Sequence, residues 1–326
     1  MREYTIDNRS AGLKLFNFVQ RIAPVIKNSD LFKIIRKGVI TVNNKKVDFS
    51  YKLLENDEVI LHLDEQYFMP LEKKMNFPVY NLDIVFENND ILVINKPRGV
   101  LIHSDGKEYK DNLVEYIKGY LFRKNEWNPD LPFTPTVCNR LDYNTSGLIV
   151  SAKNHNALKK ITAQFRKRDT GKRYYTLIYG VPDRKFLLVS DINQKSGEDN
   201  MMVSDNTEII RDIPEKDEFI ASHPEKSAMV VTTVLSNNEV SLVEIELWTG
   251  RKHQIRCQLK HASYPVMGDF KYFSPQSVKV SNNYGMDGYY LHSYFLELEE
   301  YGSWKSKPDQ RFLDMIHTLF PDEKIF

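Results

Sequence analysis

Arg140, Asp142, Thr145, Ser146 and Gly147 put a cation, a carboxylate, two hydroxyls and a hinge into one turn, directly before the apolar run Leu148-Ile149-Val150. An acid close to an arginine, on a loop that feeds a buried strand, is the kind of group that nucleophilic or acid-base chemistry uses. Alone, the same turn is accounted for by side-chain-to-backbone hydrogen bonds on a surface loop. A second cluster is Thr249-Gly250-Arg251-Lys252-His253-Gln254-Ile255-Arg256, which leads into a helix. There His253, Cys257 and His261 fall at i, i+4 and i+8, the spacing of a metal site on one helix face. A fourth ligand is missing nearby, so no metal is expected. Lys96 and His103, beside Gly99, suit the rim of a site and equally an ordinary loop.

The elements around these residues follow from periodicity. Leu13, Leu15, Phe16 and Val19 predict a helix, and a second runs from Ser29 as N-cap to Gly38. A hairpin about Asn43-Asn44 and a strand from Glu58 to Leu63 complete a small unit, with a linker between Asp64 and Pro78. Ile84 to Phe86 and Ile91 to Lys96 read as a hairpin, and Asp111 as the cap of a helix carrying Leu113, Val114, Ile117 and Leu121. Ala157 to Phe165 is helical, Tyr174 to Gly180 has strand composition, and Ala228 to Leu235 pairs with Val240 to Leu247. Residues 191 to 226 are polar, show no period and read as an irregular surface excursion. A strand at Leu291 to Leu296 and a helix with Phe312, Met315, Ile316 and Leu319 close the chain.

The whole chain carries 45 Lys and Arg against 44 Asp and Glu, so any nucleic-acid contact must come from local basic surface. Such a surface is present: Arg21, Lys27, Lys33, Arg36, Lys37, Lys45, Lys46 and Lys52 face only Asp30 and Asp48 between residues 21 and 52. Two distant cysteines give no disulfide framework, no apolar leader follows Met1, and no stretch reaches the ~20 apolar residues of a spanning helix. The expectation is a reduced, cytoplasmic monomer that does not enter a membrane.

Residues Asp30 to Ile60 resemble the small alpha-L RNA-binding domain named after a ribosomal small-subunit protein. Four further segments together resemble the RluA class of pseudouridine synthases: Asp90 to His103 with Asn-Lys-Pro-x-Gly, Asn139 to Lys153, Lys172 to Gly180 with Lys-x-Tyr, and Thr249 to Asp269. Asn139 departs from the usual His of that signature, and the 191 to 226 excursion looks longer than is typical. The resemblance implies an α+β fold: a mixed, largely antiparallel sheet with flanking helices and a central cleft over residues 76–326, behind a small α+β RNA-binding domain and linker over 1–75. It implies isomerisation of uridine to pseudouridine without a cofactor. Asp142 is then the catalytic aspartate, acting by covalent attack or by removal of a ribose proton. Tyr174 lies against the base and assists loss of the C5 proton. Arg251 pairs with Asp142, with Arg256 as the second candidate. Arg140 holds the nucleic acid open around a flipped uridine, and Lys33, Arg36, Lys37, Lys45 and Lys46 contact phosphates. Ribosomal RNA is the first choice of substrate and transfer RNA the second. The rival readings are a non-catalytic RNA-binding factor and a metal-dependent hydrolase built on His253, Cys257 and His261.

Overall fold

The computed structural model describes residues 1–7, 10–68, 77–104, 111–129, 131–194, 201–203 and 207–323. The chain folds into two compact units, one of Met1–Ile94, Leu101–Arg140 and Val150–Ala163, the other of Asn95–Val100, Leu141–Ile149 and Gln164–Phe326.

The first unit contains a small α+β assembly with its own core, running from Ile6 to Phe68. Helices Leu15–Ile22 and Asn28–Lys37 bury Leu15, Phe18, Val19, Leu31 and Ile35 in it. Its three strands are antiparallel in the order Arg2–Thr5, Glu58–Leu61, Ile40–Val42. Gly38 ends the second helix in the left-handed region at φ 80°, while the helix start moves from Ser29 back to Lys27, whose side chain makes no capping bond. Asn43 and Asn44 take φ of 50° and 60° and form the tight turn. The return strand expected after it shrinks to one bridge, Val42 to Lys45, while Glu58–Leu61 pairs with Ile40–Val42. The linker expected between Asp64 and Pro78 falls mostly on residues 69–76, outside the described residues. In the same unit Ile84–Glu87 and Ile91–Lys96 form the expected hairpin. Helix Leu113–Arg123 is capped by Asn112, which accepts from the Glu115 N–H at 3.1 Å, and not by Asp111.

The second unit is built on antiparallel strands in the order Glu208–Ile210, Lys185–Ser190, Ser227–Ser236, Val240–Leu247, Thr170–Tyr179, Leu291–Leu298, with Gly302–Lys305 folded back on the last. The start of Ser146–Ala152 joins Leu291–Leu298 in parallel, His292 opposite Ser146 and Ser293 opposite Gly147, which makes the sheet mixed. Helices Pro275–Asn283 and Gln310–Leu319 pack Val280, Phe312 and Ile316 against Leu177, Leu242 and Met267. The architecture is the expected α+β with a largely antiparallel sheet.

One expectation is corrected. Among the described residues of the 191–226 stretch the excursion is not irregular: Ile192–Gln194 pairs with Met201–Val203, Glu208–Ile210 extends the sheet edge, and Lys216–Ser222 is a helix that buries Phe219 against Trp248, while 195–200 and 204–206 lie outside the described residues. Elements of three to seven residues are too short for a period to emerge above their polar composition.

The parallel join tolerates only glycine at its entry. A Cβ on Gly147 falls 2.3 Å from the Ser293 carbonyl oxygen, and the residue has φ +113°. Gly147→Ala is therefore expected to destabilise by about 3 kcal/mol in urea unfolding. Gly285→Ala, with φ +63° but nothing within 4 Å, is expected to lose only about 1 kcal/mol. Equal urea midpoints for the two variants would contradict the steric account.

Candidate active site

Asp142 opens a turn that its own backbone closes, the Thr145 N–H donating to the Asp142 carbonyl at 3.0 Å. The strand that follows, Ser146–Ala152, is buried at every position, so the turn is fixed at one end. Lys96 fixes the other side. Its fully buried ammonium donates to the carbonyls of Pro97, Val100 and Tyr143 at 2.8, 3.0 and 3.2 Å, while the Gly99 N–H donates to the Tyr143 carbonyl at 2.8 Å. Burial pushes that ammonium down to about 7, opposed by the charge of Asp142. Lys96 is thus neither a rim residue nor an ordinary loop residue but an internal tie for the backbone after Asp142.

The Asp142 side chain, 29% exposed, accepts from Arg256 Nη1 at 2.9 Å. Arg256 lies in helix Gln254–His261, whose residues 254–259 are all buried. Its Nε and Nη2 grip the two oxygens of Asp269 at 2.6 and 3.0 Å. Asp269 is 3% exposed and also accepts from the Lys271 and Tyr272 N–H groups at 2.9 and 3.1 Å. The guanidinium lies 4.3 Å from the Tyr289 ring centroid and 5.1 Å from that of Tyr272. One arginine is thereby held on three sides and presents its remaining nitrogen to Asp142.

Here the sequence expectation is corrected. The ion pair assigned to Arg251 belongs to Arg256. Arg251 is exposed, precedes the helix, and has its backbone N–H on the Gln254 side-chain oxygen at 3.0 Å. The expected helical face of His253, Cys257 and His261 is also absent, because His253 sits before the helix at φ 53°. The His253 Nδ1 meets the Tyr272 hydroxyl at 2.9 Å and its Nε2 comes 3.8 Å from Asp142, whereas His261 meets Thr207 and Cys257 turns to the Gln254 carbonyl. Burial and the charge of Arg256 hold His253 below its usual range against the pull of Asp142.

Tyr174 is buried on strand Thr170–Tyr179, next to Ser293, whose side chain hydrogen-bonds its hydroxyl. Burial pushes the phenol up to about 12, and Asp142 adds to the shift. Tyr289 is raised for the same two reasons, and its hydroxyl lies 3.4 Å from that of Thr145. Asp142, Tyr174, Arg256, Tyr289 and His253 therefore share one electrostatic neighbourhood, all in the second unit. Asp269, Tyr272 and Tyr289 carried no role in the sequence reading. The sequence places Asp269 after Gly268 in a turn, and no local feature there marks it as buried.

The other expected contacts lie in the first unit. Arg140 is exposed, and its charge together with that of Lys118 and partial burial holds His103 below its usual range. Asn139, where the family signature has His, accepts the Val150 N–H at 2.9 Å and so ties the loop to the strand. Lys33, Arg36, Lys37, Lys45 and Lys46 are all exposed, with Lys33 only 3.4 Å from Asp30.

Comparison with known proteins decides the chemistry. A family model described as RNA pseudouridylate synthase matches residues 90–261, more than half of the chain. This chain belongs to the RNA pseudouridylate synthase family. It is an RNA-modifying isomerase. An uncharacterised RNA pseudouridine synthase of Aquifex aeolicus is 30% identical over 81% of this chain and 78% of its own length. One from Mycoplasma genitalium is 28% identical over 90% and 88%. The ribosomal large subunit pseudouridine synthase C of Vibrio cholerae is 27% identical over 88% and 85%. Among solved structures, human RNA pseudouridylate synthase domain containing 4 shares the fold, with a TM-score of 0.56 at 21% identity over 72% of this chain and 92% of that one.

Removing Arg256 strands a buried carboxylate. Arg256→Met is expected to cost about 3–5 kcal/mol in denaturant unfolding, whereas Arg251→Lys should stay within about 0.5 kcal/mol of the parent. Comparable losses in both variants would show that the guanidinium bridge is not a structural centre.

Proposed function

We propose that this pseudouridine synthase uses Asp142 as its catalytic carboxylate, modifying uridines of large-subunit ribosomal RNA. The observation that supports it is the Asp142–Arg256–Asp269 bridge, in which a buried guanidinium aims one partly exposed carboxylate. Isomerisation requires that the bond from uridine N1 to C1′ break, that the base turn, that C5 bond to C1′ and lose its proton, and that N1 take up a proton in exchange. No electrons are gained or lost overall. A carboxylate at the ribose, as nucleophile or base, is sufficient for the first step.

Tyr174 lies where it can face the base. With a phenol raised to about 12, it works as a neutral surface and hydrogen-bond donor, and Asp142, free again once C5 has bonded to C1′, is the stronger acceptor for the C5 proton. Arg251 is exposed before the Arg256 helix, which suits an RNA contact better than support of the carboxylate. Arg140 holds the strand open around the flipped nucleotide. The N-terminal assembly, with exposed Lys33, Arg36, Lys37, Lys45 and Lys46 and the Phe16–Phe32–Phe49 cluster, stacked at the first pair and edge-to-face at the second, acts as an alpha-L-type RNA-binding domain over residues 1–75. Large-subunit ribosomal RNA is favoured over transfer RNA by relatives such as the Vibrio cholerae protein named for that substrate. The protein then works as a cytoplasmic monomer, where its substrate is; among the described residues no helix is long and apolar enough to cross a membrane.

Asp142→Asn tests the chemistry. Asn can still accept from Arg256 but carries no charge, so RNA affinity should stay within about twofold while tritium release from C5-labelled uridine in total RNA falls below detection. Release within about tenfold of wild type, ~1.4 kcal/mol in barrier, would remove Asp142 from the catalytic role. A thermal melt run alongside confirms that the variant is folded.

A further inference from the structure

The second unit carries a cleft of about 590 Å³ lined among others by Arg168, Lys172, Arg173, Lys216 and Glu246, and the charges of Arg168 and Lys216 act on Lys172, which groups these three at one end. The two ends differ in how their charges are met. Arg173 has Glu244 at 3.8 Å and is raised by Glu246 as well, while Glu246 also takes the Trp248 indole N–H at 3.2 Å. Asp169, Asp217, Glu297 and Glu299 also line the cleft. Even so, among the described residues none of Arg168, Lys172 and Lys216 makes an ion pair.

Each of these three cations is held in place by the fold. Arg168 stands at φ +69° just past helix His155–Lys167, with Nη2 on the Pro224 carbonyl at 2.6 Å and Nη1 buried without any partner. Lys172 projects from strand Thr170–Tyr179 with its Nζ 5.9 Å from the Phe165 ring centroid and 3.4 Å from where a Cβ on Gly250 would be. Lys216 is the first residue of helix Lys216–Ser222, with its Nζ 3.5 Å from the Arg168 carbonyl. Lys172 is pushed down to about 8 by burial and by the charges of Lys216 and Arg168, and Arg168 is lowered by burial and by Arg251. Glu225 acts on Arg168 in the opposite sense, but with no carboxylate at ion-pair distance the three gathered cations still favour an arriving anion.

We infer that the Arg168, Lys172 and Lys216 end of this cleft is an oxyanion site that takes a backbone phosphate of the RNA substrate. The inference rests on the reading of Asp142 and Tyr174 as the reaction site, and the strand supplies the link. Lys172 and Tyr174 lie on the same face of Thr170–Tyr179, two residues and about 7 Å apart. A nucleotide whose base rests on Tyr174 therefore carries its phosphate toward Lys172. Gly250, bare of a side chain, leaves the approach open, and Arg251 adds positive charge beside it. Lys216 comes from the 191–226 stretch, so the excursion contributes a substrate contact and is more than a surface ornament.

Lys216→Gln, Lys216→Arg and the Lys172→Gln/Lys216→Gln pair, all in the full-length protein, test this. A uridine-containing single-stranded oligoribonucleotide is titrated at several salt concentrations, and inorganic phosphate is titrated separately by calorimetry. Lys216→Gln is expected to weaken the oligonucleotide several-fold and to lower the slope of log affinity against log salt by about 0.7, the double variant by about twice that, and Lys216→Arg to restore both. Phosphate heat seen with wild type should be lost in Lys216→Gln. Loss of phosphate heat with unchanged RNA affinity and slope would overturn the inference in favour of a site for free anions. Unchanged behaviour toward both ligands would overturn it outright. Tritium release is scored independently: a wild-type protein that shows the Lys216-dependent slope but releases no tritium keeps the phosphate site and loses the proposed function.

Discussion

The Arg256 guanidinium is the constraint on which the rest of the site depends. It belongs to a helix buried along Gln254 to Leu259, so its position is set by core packing and not by the charges it meets. Two of its nitrogens are committed to Asp269 and one to Asp142, and two tyrosine rings lie against it. A lysine could not reproduce this, since an ammonium has neither the planar fork nor the face that stacks on rings. Two carboxylates against one guanidinium leave a negative excess. The buried Lys96, pushed down to about 7 against the pull of Asp142, spends its hydrogen bonds on backbone carbonyls. Division of labour follows: Arg256 orients the carboxylate, and Lys96 orients the chain that carries it.

Burial around this bridge also fixes the protonation of its neighbours. Tyr174 and Tyr289 are both driven further toward the neutral phenol, and His253 toward the neutral imidazole. Asp142 therefore sits among phenols and an imidazole that burial biases toward their uncharged forms, with Lys96, pushed down to about 7, as the neighbour whose charge changes nearest neutral pH.

Much of this was legible in the sequence where a single segment carries its own signal. The all-buried strand after Gly147, the tight turn at Asn43-Asn44, the pairing of Ser227–Ser236 with Val240–Leu247, and the helix stop at Gly38 follow from local side-chain chemistry. The choice between Arg251 and Arg256 did not, because both lie in one short motif and differ only in which side of the helix start they fall. That start is set by tertiary contacts: Gln254 bonds Thr249 and the Arg251 N–H, and His253 adopts a left-handed conformation that no local residue preference demands. Asp269 was silent for a related reason, since its partner is thirteen residues back on another element. The 191–226 stretch was misread because its elements are stabilised at the sheet edge and by Phe219 on Trp248, contacts that a local window does not contain.

A chain with a formal charge of +1 cannot attract RNA through its total charge, and its cations are accordingly divided into two populations. Some are neutralised inside the fold: Arg256 by two aspartates, Lys153 by Glu87 and Glu126, Arg98 and Arg311 by Asp287. These position backbone and catalytic groups, and RNA would gain little by displacing their carboxylates. Others are left without a carboxylate partner, as at Lys172 and Lys216, or stand exposed between Arg36 and Lys46. Counter-ion release rewards only the second kind, because a cation already paired has no solution ion to give up. On the proposed reading, the cations available to RNA are set less by their number than by where the fold has withheld the matching acids.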